Sequence, residues 1–194
     1  MRVLVIYAHP VETSFHAELH ARVVAALRSA GHEVDDCDLY AENFNPVLSR
    51  EERLNYHDTT VNQVPVKRYV ERLQRAEALV LCFPVWCFGL PAILKGWFDR
   101  VLMPGVAFDI SDPAHVKPAL THLRRIAAVT SYGRPRWMAF AMGDPPRKVI
   151  KRYLRVLTAG KAEIDYWAYY HMNVATPEKL ERHMARIERL MLRF

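Results

Sequence analysis

The chain has 194 residues, 51% hydrophobic and 25% charged, which is long enough to bury a full core. Its 12 prolines and seven glycines are spread along the chain, so low-complexity tracts and evident linkers are excluded, and three cysteines do not make a disulfide framework. Net charge is +6 but unevenly placed: residues 1–116 carry 11 Lys/Arg against 15 Asp/Glu, and residues 117–194 carry 16 against 6.

Taken in chain order, Arg2–Ala8 is a short apolar run ending at His9-Pro10, the pattern of a buried parallel strand. It is too short for a signal peptide's apolar region or a membrane span, so a cytoplasmic protein without membrane insertion is expected. Thr13 or Ser14 caps a predicted helix through Ala30, with Phe15, Leu19, Val23 and Leu27 on one face and Gly31 as terminator. Glu33–Leu39 completes a strand–helix–strand unit. Residues 40–65 read as irregular, with a short helix from Ser49, and Val66–Ala76 has helical periodicity. Ala78–Phe83 is the clearest buried strand, expected to stop at Pro84, and Pro91 opens a helix to about Met103. Arg125–Thr130 is the fourth strand, Pro146–Leu157 a basic amphipathic helix, and Glu163–Tyr169 the fifth strand. The last helix follows Thr176-Pro177-Glu178, with Thr176 as its cap.

Strands alternating with helices predict a doubly wound α/β domain over residues 1–194, a five-stranded parallel sheet of order 2-1-3-4-5. Ligands of such sheets sit beyond the carboxyl ends of the strands, which singles out loops 9–16, 84–90 and 130–136. The first has no glycine-rich phosphate motif, but its Thr and Ser hydroxyls feed a helix N-terminus able to receive an anion. A plain N-cap explains the same residues. The second, from Pro84 to Gly89, sets Trp86 and Phe88 beside a glycine, a surface suited to a flat conjugated ring.

Phe83–Val101 (FPVWCFGLPAILKGWFDRV) strongly resembles the matching segment of the NAD(P)H:quinone reductase family of flavodoxin-like proteins. The opening loop with His9, Ser14 and Phe15, and the run Asp38–Pro46, resemble it too. The likeness is good to about residue 110 and thins afterwards. It implies an enzyme that moves a hydride, two electrons, from NADPH or NADH through a flavin to a quinone-like acceptor. FAD is the implied flavin, with FMN the alternative, and the implied assembly is a homodimer. The flavin phosphate region would involve His9, Thr13, Ser14, Phe15 and His16. The ring would lie against Pro84, Val85, Trp86, Cys87, Phe88 and Gly89, with Thr130, Ser131, Tyr132 and Gly133 at its pyrimidine edge.

Two departures stand out. Tyr132-Gly133 replaces a double glycine, bringing bulk and a hydroxyl that would narrow the acceptor pocket. The following stretch, Arg134–Asp144, has no histidine where animal quinone reductases use a Tyr and a His. Tyr132, Arg134 and Arg136 are therefore the candidate catalytic residues, the arginines beside the flavin's N1–C2=O edge or on the nicotinamide cofactor's phosphate. The family also contains ancillary flavoproteins of potassium-efflux systems, so the alternative is a regulatory flavoprotein docking on a transporter through the basic 134–155 region. A small electron carrier is disfavoured by the charge of +6. No metal site is expected: His16 and His20 have zinc spacing, but the pattern lacks a glutamate after the first histidine and a third ligand. No nucleic-acid-binding signature accompanies the basic residues, so no nucleic-acid partner is expected.

Overall fold

The computed structural model describes residues 1–112 and 114–194. Its elements are β1 (Arg2–Tyr7), α1 (Phe15–Ser29), β2 (Glu33–Asp38), α2 (Arg50–Leu54), α3 (Lys67–Arg75), β3 (Ala78–Val85) and α4 (Ala92–Val101). Then come β4 (Phe108–Asp109), β5 (Lys117–Pro118), β6 (Arg125–Tyr132), α5 (Arg136–Ala141), α6 (Pro145–Lys148), α7 (Leu154–Leu157), β7 (Glu163–Tyr169) and α8 (Pro177–Met191). The main sheet is parallel with order β2-β1-β3-β6-β7, the predicted 2-1-3-4-5 arrangement. β4 and β5 form a separate two-stranded antiparallel pair.

Alternation along the strands divides the core between the two sheet faces. Leu4, Ile6, Leu79, Leu81, Phe83, Ile126 and Ala128 face a layer that includes Val70 and Leu73 of α3, Leu94 and Trp97 of α4, and Leu154 of α7. Val3, Val5, Val80, Cys82, Ala127 and Val129 face Leu19 and Val23 of α1 and Ile187 and Met191 of α8. The central strand β3 is buried at all eight positions, whereas the edge strand β2 carries the carboxylates of Glu33, Asp35, Asp36 and Asp38.

Several boundaries differ from expectation for identifiable reasons. β3 continues through Pro84 to Val85, with Pro84 opposite Ser131 of β6. Cys82 O accepts from Ala8 N at 3.0 Å, so its side of β3 faces β1. By the period of two, the missing N–H of Pro84 faces the same way, past the last β1–β3 pair at Tyr7 and Cys82, where no ladder bond is lost. The predicted helix 146–157 is three consecutive segments, with a π-helical turn over Val149–Tyr153 between α6 and α7. Thr176 occupies the N-cap of α8, but its side chain makes no capping bond.

Segment 40–65 is irregular in backbone yet firmly attached. Ser49 and Glu52 form a reciprocal capping box around α2. Glu52 pairs with Arg100 of α4 at 2.6 Å, both largely buried, and Arg100 also donates to Asn45 O. Gly96 of α4 lies directly on Pro46: a Cβ there would stand 2.2 Å from Pro46 O. The two segments that carry the family resemblance, 38–46 and 83–101, thus touch where only glycine fits.

Candidate functional site

The carboxyl ends of β1, β3 and β6 open on two adjoining cavities. One, of about 300 Å³, is lined by His9, Ser14, Phe15, His16, Pro84 and Ser131 among others. The other, of about 400 Å³, is lined by Cys87, Phe88, Tyr132 and Arg134. Val85, Trp86, Gly133 and Asn173 line both.

The first wall is the β1–α1 loop. Ser14 caps α1, its hydroxyl accepting from Ala17 N at 3.1 Å. Val11 N donates to His9 Nδ1, which holds the imidazole at the cavity rim, 5.7 Å from the Trp86 ring centroid. His16, on the first turn of α1, is only 4% exposed. Its Nε2 is 2.8 Å from Ser131 Oγ, while its Nδ1 is buried without a partner. Burial, and then the neighbouring His9 and His183, push its pKa down to about 3, so the ring is neutral at physiological pH. Thr13 is exposed and lines neither cavity.

The second wall is a tight hairpin. Trp86 and Gly89 exchange both backbone bonds (2.8 and 3.3 Å), and Cys87 and Phe88 between them have φ of +49° and +55°. That is a type I′ turn made without glycine at either central position, a strained choice that presents two side chains to the cavity. Gly89 closes the turn and lines neither cavity.

The third wall is the end of β6. Ser131 and Thr130 point to opposite faces, so Ser131 meets His16 while Thr130 is fully buried on the other side, its Oγ1 without a partner. A Cβ on Gly133 would stand 2.8 Å from Asn173 Oδ1, so this glycine lets the Asn173 amide close over the site. Met172 and Asn173 belong to a short 3₁₀ turn after β7. The sequence reading passed over them, although the rule that ligands sit beyond strand carboxyl ends applies to β7 as well.

Two of the candidate catalytic residues are placed apart from the flavin side, Tyr132 by its hydroxyl and Arg136 by its position, which leaves Arg136 with the expected alternative at the nicotinamide cofactor's phosphate. Tyr132 is 1% exposed and does not offer a free hydroxyl to the cavity. The hydroxyl is turned into the core, donating to Asp144 Oδ1 at 2.5 Å and lying 2.6 Å from Tyr166 Oη. Burial first, then Tyr166 and Asp144, raise its pKa well above the ordinary tyrosine value. Arg134 lines the cavity beside Trp86, but Arg136 does not. Pro135 caps α5 between them, and Arg136 lies instead in a third cavity with Arg147, Lys148, Lys151 and Arg152. Among the described residues no group of three or more His, Cys, Asp or Glu side chains is placed to hold a metal ion. His16 and His20 turn to different partners, Ser131 and Asp36. Among the described residues no helix is long and apolar enough to cross a membrane.

A family model described as flavodoxin-like fold matches residues 1–190. The chain belongs to the flavodoxin-like family. The match reaches well beyond residue 110, where the resemblance read from sequence fades. Among curated flavodoxin-like relatives, NAD(P)H dehydrogenase [quinone] 1 of Rattus norvegicus is 37% identical over 123 residues, covering 55% of this chain and 45% of the relative. An NAD(P)H oxidoreductase of Haemophilus influenzae is 37% identical over 109 residues, covering 56% and 54%. The matched part is thus about half the length of these relatives. Among solved structures, the NAD(P)H:quinone oxidoreductase of Methanothermobacter marburgensis superposes with a TM-score of 0.85 at 26% identity, over 99% of this chain and 98% of that one. Smu.1420 of Streptococcus mutans reaches 0.88 at 25% identity over the full length of both.

Proposed function

We propose that this chain is a flavin-dependent NAD(P)H oxidoreductase that reduces a quinone-like acceptor by two-electron transfer, working as one domain. The observation that carries the reading is the cleft itself: an aromatic-rimmed site at the sheet's switch point, free of carboxylates in its lining, with a buried imidazole nitrogen left unpartnered at its base. An orphaned polar atom there fits a polar ligand, and no carboxylate lines the wall to repel an anionic one. The names of the quinone reductase relatives support the same activity.

Bound there, a flavin would supply the hydride chemistry, taking it from the nicotinamide and passing it to the quinone. The chain's own residues bind and orient. Ser14, Phe15 and His16, at the start of α1, hold the phosphate side through backbone N–H groups and the Ser14 hydroxyl, with His9 on the rim and Thr13 outside the cavity. Pro84, Val85, Trp86, Cys87 and Phe88 form a rigid wall for the ring, with Gly89 closing the turn behind it. Ser131, Tyr132 and Gly133 shape the far edge, Tyr132 as support rather than as a proton carrier, while Thr130 is buried on the opposite face of β6. Arg134 is the one cation positioned to balance charge beside the ring.

FAD is the favoured flavin on the resemblance of segments 40–50 and 83–101, with FMN the alternative. An FMN-dependent NADH-azoreductase from Bacillus anthracis, 17% identical with a TM-score of 0.79, was solved with FMN and shares the fold. A homodimer is supported by exposed apolar side chains on and just after α5: Trp137 (67% exposed) and Met142 (57%). Three free cysteines suit a reducing, cytoplasmic compartment. The deciding experiment is the visible spectrum of the purified protein, with the chromophore released by heat and identified by chromatography. A flavin spectrum that bleaches on adding NADPH or NADH, with menadione turnover, is expected. A protein that stays colourless and takes up neither FAD nor FMN overturns the proposal.

A further inference from the structure

The third cavity, of about 380 Å³, has no part in the flavin cleft. Arg136, Arg147, Lys148, Lys151 and Arg152 line it, and the only carboxylate in its wall, Asp144, already accepts from the Tyr132 hydroxyl. Arg22, Arg68, Arg72, Arg100 and Arg125, which pack against other elements of the fold, each have an acidic partner, whereas the cations of this cavity have none among the described residues. Among the described residues, none of the seven basic residues between Arg134 and Arg155 forms an ion pair.

Spacing along the helix makes this costly. Arg147 and Lys151 are four apart, as are Lys148 and Arg152, with Lys148 and Lys151 three apart, so like charges are stacked along one face. The π-helical turn over Val149–Tyr153 falls within this run, a feature frequent at functional sites. Two of the cations are held in place before any ligand arrives. Arg147 lies 5.3 Å over the Tyr166 ring, and the Lys151 ammonium donates to Ile164 O. Concentrated, uncompensated and partly fixed positive charge in a concavity selects a ligand with more than one anionic group. Phe140 and Tyr170 add ring surface to the same wall, Tyr170 being stacked on Tyr132 at 4.7 Å. Phosphates beside an aromatic platform describe a phosphorylated nucleoside.

Arg134, which lines the flavin-side cavity, and Arg136, which lines the basic one, are two residues apart, at most about 7 Å along the chain. We propose that the basic cavity receives the phosphorylated adenosine end of NADPH, and so sets a preference for NADPH over NADH. The proposal rests on the oxidoreductase reading for its donor, but its site is testable without turnover. Calorimetric titration of the purified protein with 2′,5′-ADP, which carries two phosphates and no nicotinamide, is compared with 5′-AMP. Tighter binding of 2′,5′-ADP is expected, weakening with added salt. In K148A/R152A, which removes two exposed cations that make no side-chain hydrogen bond in the structure, affinity for 2′,5′-ADP should fall about tenfold or more. K148R/R152K should keep most of it, separating charge from a general loss of folding. The ratio of kcat/KM for NADPH over NADH should fall by a similar factor in K148A/R152A. Equal binding of 2′,5′-ADP by the native and K148A/R152A proteins overturns the proposal, even if the protein holds flavin and turns over. Binding of inorganic pyrophosphate but not of 2′,5′-ADP also overturns it, leaving an anion site unconnected with the donor. If the protein holds no flavin while the titration behaves as expected, the oxidoreductase reading fails and the nucleotide site stands.

Discussion

The two sides of the Tyr132–Arg136 segment solve the problem of holding a ligand in opposite ways. On the Trp86 side the groups are short, neutral and fixed by backbone: a hairpin closed at both ends, a serine cap, and a histidine tied to Ser131. On the Arg147 side they are long, cationic and mostly exposed, with only Arg147 and Lys151 anchored. A flat ring gains from a rigid, low-charge wall because burial and stacking carry its binding. A phosphate gains from mobile ammonium and guanidinium groups that close around it. The contrast teaches that the Trp86 side carries a single cation, Arg134, while positive charge is collected in its neighbour.

Acid offers the largest test of the neutral side. His16 has a pKa lowered to about 3 and His183 to about 4, both chiefly by burial. Their folded values lie below the unfolded one near 6.5, so the unfolded chain binds more protons within that window. Stability is therefore complete above about pH 6.5 and is lost as pH falls toward 4, by up to about 1.4 kcal/mol per pH unit for each histidine. H16Q should remove about that much slope between pH 6 and 4, read from urea midpoints across the series. An unchanged slope would mean that His16 is already protonated, and the cavity would not be neutral.

A smaller effect tests whether the two sides are separate. Y132F strands the Asp144 carboxylate and the Tyr166 hydroxyl, and should cost about 1–3 kcal/mol in denaturant unfolding. Flavin content should stay at the native level, because the hydroxyl is turned away from the Trp86 wall. Flavin loss in a folded Y132F would show that the two cavities respond as one. The smallest effect concerns the hairpin. C87G replaces a residue at φ +49° and should gain roughly 0.5–1 kcal/mol, the relief of left-handed strain exceeding glycine's entropic cost. A loss of stability, measured by thermal unfolding, would mean that the Cys87 side chain packs against something that holds the turn.

How legible each part was in the sequence follows from the range of the interactions that fix it. The sheet order and every main strand could be read because apolar runs bounded by turn residues are local signals; Glu33 and Glu163 even begin their strands where expected. A cap at Thr13 or Ser14 and a short helix from Ser49 could be read for the same reason, and the structure has its caps at Ser14 and Ser49. Pro84 misled because its tolerance depends on where β1 ends, which is a tertiary fact. The direction of the Tyr132 hydroxyl depends on Asp144 and Tyr166, 12 and 34 residues away, and no local pattern encodes it. The separation of Arg134 from Arg136 had a local signal, the Pro135 cap, but the helix it opens spans only Arg136–Ala141 and lacks a strong period. Asn173 follows the last strand in a turn whose value lies in facing Gly133, far earlier in the chain.

The acidic edge strand β2 also limits how copies of this protein can meet. An open strand edge is a template on which another chain can add its own strand. Here Asp35 and Asp36 are tied to Arg72 and His20, while Glu33 and Asp38 make no ion pair among the described residues, so an approaching β2 would bring its own Glu33 and Asp38 toward these carboxylates, and the like charges oppose zippering into a continuous sheet. Self-recognition is thereby steered away from the backbone and toward side chains on another face, so crowding that drives flat-edged proteins into fibrils meets an electrostatic bumper on this one.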